Sequence, residues 1–156
     1  MKKIIVLAAA LLMVLSLTGC FGTTPSNSST ADQANAADVS TYSKDFEGLQ
    51  KYITDRNNNT TKQELYADIV GADNAARIVL NGNSFVEIYD YSKANNDTAK
   101  AILEDIKDDG KFRPMEDGTE MTAVITKSGK YVLAWDATRG FDYEKKVATE
   151  ELKENW

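Results

Sequence analysis

The sequence predicts an α+β fold: a two-layer sandwich with a four-stranded antiparallel sheet from a ββα-ββα pseudo-repeat, preceded by two short helices. Three observations carry this expectation. Asn81-Gly82-Asn83 and Ser128-Gly129 each stand between alternating apolar runs, which is the pattern of a hairpin turn. A segment of helical periodicity follows each hairpin. The second strands of the two hairpins nearly repeat: Phe85-Val86-Glu87-Ile88-Tyr89-Asp90-Tyr91-Ser92 lies over Tyr131-Val132-Leu133-Ala134-Trp135-Asp136-Ala137-Thr138 at an offset of 46 residues. The likeness fits either a duplication or two hairpins facing the same core.

In chain order, residues 42–56 place apolar side chains at 42, 46, 49, 52 and 53, one face of a helix. Ser40 or Thr41 is its expected cap. Gly48 is its weak point, since glycine costs about 1 kcal/mol against alanine in a helix. Asn57-Asn58-Asn59 breaks the pattern. Thr61 stands three residues before Glu64, as in a capping box, and Leu65, Ile69 and Val70 form a stripe ended by Gly71. This predicts a second helix, too short to persist without packing. Strands follow over 76–80 and 85–91. A helix is expected over 95–109, with Ala99, Ile102, Leu103 and Ile106 inward and Gly110 as its stop. The second hairpin spans 121–126 and 130–136. Residues 141–152 predict a last helix with Val147, Ala148 and Leu152 as its buried edge.

A two-residue turn at Ser128-Gly129 puts Thr122, Val124 and Thr126 on one face with Tyr131, Leu133 and Trp135, and Met121, Ala123 and Ile125 on the other with Val132 and Ala134. In the first hairpin Phe85, Glu87, Tyr89 and Tyr91 alternate against Val86, Ile88 and Asp90. An antiparallel sheet commonly buries one face and wets the other. The aliphatic face suits helices. Phe85, Tyr89, Tyr91, Tyr131 and Trp135, with Arg139 near Trp135, are therefore the candidate interaction face, arginine and tryptophan being enriched at interfaces. Against this stands the ordinary use of aromatics as strand filler in a core.

The available chemistry is narrow. The 156 residues contain no histidine and one cysteine, so imidazole bases, a histidine triad, a common zinc constellation and an internal disulfide are all excluded. No glycine-rich phosphate loop is present. Asp90 and Asp136 end equivalent strands and are the one carboxylate pair worth weighing as acid and base, although aspartate before a hydroxyl is a usual turn cap. Asp105, Asp108, Asp109, Glu116, Asp117 and Glu120 lack the calcium-loop pattern and read as a solvated face. No metal and no cofactor is expected, and the chain is not expected to be an enzyme.

The amino terminus says where the protein works. Lys2 and Lys3 precede an apolar run over residues 4–17, shorter than the roughly 20 residues of a permanent span, and Leu17-Thr18-Gly19-Cys20 follows. Residues 1–19 read as an export signal. The box resembles the processing site of bacterial lipoproteins, and the resemblance implies that Cys20 becomes a lipid-modified N-terminus carrying a diacylglyceryl group and, in many bacteria, a further acyl chain such as palmitate. Two or three chains make attachment effectively stable. Residues 20–40, rich in Ser, Thr, Asn and Ala, cannot bury enough apolar area to order. They read as a tether of about 25 Å mean reach before a single domain over 41–156. Loss of the leader removes both lysines, leaving 16 basic side chains against 24 acidic ones and taking the net charge from −6 to −8. A nucleic-acid partner, which needs a positive footprint, is not expected.

Beyond the box, Ile69-Val70-Gly71-Ala72 and Val86-Glu87-Ile88-Tyr89-Asp90-Tyr91 resemble small extracytoplasmic lipoproteins of Gram-positive bacteria, a likeness covering about 42–138. It implies membrane attachment and transfers no chemistry. The expected function is a membrane-tethered binding lipoprotein on the outer side of the cell membrane. Its partners are membrane lipid through Cys20 and an envelope protein or peptide. An accessory or immunity-like subunit of an envelope system is the alternative, and a small hydrolase of cell-wall carbohydrate comes third. Intact-mass analysis of membrane-extracted protein is expected to find residues 1–19 gone and Cys20 acylated. A retained leader or a free Cys20 thiol contradicts the reading.

Overall fold

The computed structural model describes residues 38–80, 84–114, 118–139 and 151–156, with Arg139 described through its backbone. Val39–Thr41 is a turn of 3-10 helix, and the Asp38 carboxylate accepts from Ser40 N at 2.8 Å. Helix α1 runs Phe46–Asp55. Its cap is Asp45, not Ser40 or Thr41: the Asp45 side chain accepts from Gly48 N at 2.7 Å. Gly48 has a positive reason to be glycine, because a Cβ there would lie 2.0 Å from the Ser43 carbonyl oxygen. The chain entering α1 folds back onto the first helical turn, and only a bare Cα admits it.

The expected second helix is replaced. Thr61–Glu64 forms strand β1, and Ala67–Val70 a turn of 3-10 helix ended by Gly71 in the left-handed conformation (φ 67°). Pairing explains the change, for β1 lies antiparallel to β2 (Asn74–Val79), with Thr61 opposite Val79 and Glu64 opposite Ala76. An isolated short helix is marginal in water, whereas the open edge of β2 offers backbone partners along the whole tetrapeptide. Val70 still reaches the core; Ile69, expected beside it, is half exposed.

Strand β3 (Phe85–Asp90) completes the first hairpin, and Leu80 N donates to Ser84 O at 2.7 Å across its mouth. The Asn81-Gly82-Asn83 turn lies outside the described residues. Helix α2 (Asp97–Asp109) starts at Asn96, whose side chain accepts from Ala99 N at 2.8 Å, and stops at Gly110, as expected. Strands β4 (Lys111–Phe112), β5 (Met121–Ile125) and β6 (Tyr131–Trp135) follow. Ile125 opposes Val132, which confirms the two-residue turn at Ser128-Gly129. The last helix expected over 141–152 lies largely outside the described residues. Among those at its end, Lys153–Asn155 makes a helical turn, and Leu152 and Trp156 are buried.

The sheet has six strands, in the order β1-β2-β3-β6-β5-β4, with every pair antiparallel. The expected four strands are its centre, and β1 and β4 extend it on either side. The layering also differs from the expectation, since both faces are covered. On the first face Ile78, Val86, Ile88, Tyr131, Leu133 and Trp135 pack with Leu49, Tyr52 and Ile53 of α1 and with Leu152 and Trp156. On the second, Tyr89, Ala123, Val132 and Ala134 pack with Ala99 and Ile106 of α2, with Phe112 and with Val70. β6 is buried at every position. A sheet whose central strands are apolar on both sides needs a layer on each.

Candidate ligand-binding cleft

The candidate interaction face does not exist as one surface. Tyr89, Tyr91, Tyr131 and Trp135 are all buried, and they divide between the two faces. The cause is the β3–β6 register, in which Glu87 opposes Ala134, Tyr89 opposes Val132 and Asp90 opposes Tyr131. Opposed residues share a face, so the face of Phe85 and Tyr89 is that of Val132 and Ala134, and Tyr131 and Trp135 point the other way. The buried phenols are satisfied internally. Tyr91 donates to Val70 O at 3.1 Å, Tyr131 to Lys44 O at 3.4 Å and Tyr89 to Glu87 Oε2 at 2.5 Å. Of the five aromatics, Phe85 alone is half-buried, at a cleft. Arg139 closes the 3-10 turn Ala137–Arg139.

The carboxylate pair is likewise separated. Antiparallel pairing sends equivalent strand ends to opposite ends of the sheet, so Asp90 and Asp136 stand five residue steps apart along it, about 17 Å, and on opposite faces. Each is a turn cap. Asp90 accepts from Ser92 N at 2.9 Å, and Asp136 from Thr138 N at 2.9 Å and Thr138 Oγ1 at 2.6 Å. The two carboxylates stand too far apart to act together as acid and base. In the acidic stretch, Arg113 Nη2 holds Asp109 at 3.0 Å and Glu120 at 2.8 Å, and Lys111 holds Glu120 at 2.8 Å. These cations keep the Asp109 and Glu120 carboxyls below the usual carboxylate range. Among the described residues no group of three acidic, cysteine or histidine side chains could hold a metal, and no helix is long and apolar enough to cross a membrane.

What the second face does present is a cleft of about 360 Å³. Its rim comes from the segment between β1 and β2, through Leu65, Tyr66 and Ile69, and from Pro114 and Met121 on the other side. Asn96 fixes that first rim. While capping α2 with Oδ1, it donates from Nδ2 to Gly71 O at 2.9 Å. A Cβ on Gly71 would sit 2.3 Å from Asn96 Oδ1, so the glycine is needed for contact as well as for its φ.

The floor is a charge cluster on paired strands. Arg77 on β2 opposes Glu87 on β3. Arg77 Nε and Nη2 donate to Glu87 Oε1 at 2.8 and 2.5 Å, and Tyr89 holds the other carboxylate oxygen. The guanidinium carbon lies 4.3 Å from the Phe85 ring centroid, within cation–π range. The Glu87 side chain is only 3 % exposed and that of Arg77 34 %, so the pair turns its cationic half toward solvent. A buried carboxylate stripped of its partner would cost about 3–5 kcal/mol, and the cluster therefore acts as a unit. The sequence alone assigns no role to Arg77 and sets Ile69 in the stripe of an expected helix.

Comparison with protein-family models, with curated proteins and with solved structures finds no match to this chain.

Burial raises the Tyr89 phenol far above its ordinary value of 10.0, with the Glu87 charge adding to it, and burial also raises Tyr91 and Tyr52. The folded protein thus keeps three phenols protonated where the unfolded chain ionises them. This stabilisation is whole below the ordinary value of 10.0 and is lost progressively as pH rises above it. Urea denaturation is expected to show a steep alkaline loss, with ultraviolet absorbance showing these tyrosines ionising together with unfolding. Tyr89→Phe should flatten that loss while costing about 1–3 kcal/mol at neutral pH. Tyrosines that all titrate near the ordinary value in a protein that stays folded would contradict the assignment.

Proposed function

We propose that this chain is a membrane-tethered extracytoplasmic binding lipoprotein, anchored through lipid on Cys20, whose second-face cleft takes a protein or peptide segment. One observation carries the binding reading. Tyr66 is 82 % exposed and Ile69 49 %, they are the large apolar side chains exposed among the described residues, and both rim the same cleft. Scattered surface hydrophobics are ordinary, but a concentration of them around a concavity with a few polar groups in its floor is the usual form of a ligand site. The rim is also held in place, because Asn96 ties Gly71 to the start of α2. The leader and the tether supply the place of action, and the aromatic strands supply the frame rather than the contact surface.

The test is retention of envelope proteins and peptides on the immobilised, lipidated chain, compared with the Tyr66→Ala, Ile69→Ala double variant. Both positions are exposed, so the variant is expected to fold with stability within about 0.5 kcal/mol of the parent. Truncating two rim contacts is expected to weaken retention of any specifically bound partner about tenfold or more. Equal retention by parent and variant contradicts the cleft as the binding surface.

A further inference from the structure

Resting on that binding reading, we infer that the cleft recognises the free carboxylate of a peptide C-terminus, read by Arg77, with the last apolar side chains of the peptide against Tyr66, Ile69 and Met121. Arg77 is the one cation among the described residues that line the cleft, in a chain whose acidic side chains outnumber its basic ones by 24 to 18. Its guanidinium carries five N–H donors. Two go to Glu87 Oε1, and among the described residues the other three make no hydrogen bond. The group is clamped by Glu87 on one side and by the Phe85 ring on another, so its plane is set before any ligand arrives. A preorganised planar fork with spare donors suits a carboxylate better than a flexible ammonium does.

The opposite polarity fits poorly. A ligand ammonium would have to reach Glu87, whose side chain is 3 % exposed and already accepts three hydrogen bonds, or Asp136, which already accepts from Thr138 N and Oγ1. A volume of about 360 Å³ is at the small end of the ~300–1,000 Å³ range for ligand clefts, which suits the end of a chain rather than its middle. Thr119 and Asp136 in the lining suit a ligand with amides along its length over bare hydrocarbon.

The experiment is calorimetric titration of the full lipidated chain in detergent with three probes: N-acetyl-Ala-Leu-Leu with a free carboxylate, its C-terminal amide, and decanoate. The acid is expected to bind about tenfold or more tightly than the amide, as a charge-assisted hydrogen bond provides, and more tightly than decanoate. The acid–amide ratio should fall to about one in Arg77→Gln. Because that variant strands Glu87, the Arg77→Gln, Glu87→Gln double variant, which removes both charges, serves as the folding-competent check. Equal binding of acid and amide by the parent overturns the carboxylate assignment. If both are then weakened by Tyr66→Ala, Ile69→Ala, the cleft reading itself stands. A preference for the acid that survives in the double variant overturns the role of Arg77. Tighter binding of decanoate overturns the peptide, and no binding of either peptide at millimolar concentration overturns the inference, leaving the retention comparison to judge the cleft independently.

Discussion

The antiparallel pairing of β3 with β6 is the constraint on which the rest of the molecule depends. It joins two three-stranded halves, β1-β2-β3 and β6-β5-β4, into one sheet. Once Glu87 opposes Ala134 and Asp90 opposes Tyr131, every neighbouring residue is assigned to a face. Val86, Ile88, Leu133 and Trp135 then meet α1, and Tyr89, Val132 and Ala134 meet α2. The two helices lie on opposite sides of the sheet because the strands between them have no polar side to give to water.

The same pairing creates the conditions for the cleft. Opposite Glu87 stands Ala134, a small side chain that leaves room on the second face for a carboxylate and the groups that hold it. A buried ion pair is weak evidence for stability, since apolar side chains of similar volume serve as well or better. The Arg77–Glu87–Tyr89 cluster therefore gains its meaning from position. It lines a concavity, it has its cationic member outward, and the exposed apolar side chains line the same cleft.

Much of this was legible in the residues. The hairpins, the extent of α2 with Asn96 and Gly110 at its ends, and the turn at Ser128-Gly129 all follow from local chemistry, as does aspartate acting as a cap. The Arg77–Glu87 pair was within reach as well: a hairpin closing from Leu80 to Ser84 sets 77 opposite 87. What local chemistry could not supply was the partner of each element. Thr61-Lys62-Gln63-Glu64 looks like a helix start because nothing within the tetrapeptide announces the open edge of β2. The two aromatic octapeptides look like one surface because their likeness is read in parallel, while in the fold they run antiparallel and face apart. The exposure of Ile69 has the same cause, since it leaves the core when the expected helix becomes a strand and a 3-10 turn.

Interstrand nuclear Overhauser effects between β3 and β6 test this account at its centre. Contacts linking Glu87 with Ala134 and Tyr89 with Val132 are the expected result, with the Tyr89 and Trp135 rings on separate sides of the sheet. Contacts of the Tyr89 ring with the Tyr131 or Leu133 side chains instead would mean a different register or a different face, and would contradict the layering, the burial of the aromatics and the placement of the cleft together.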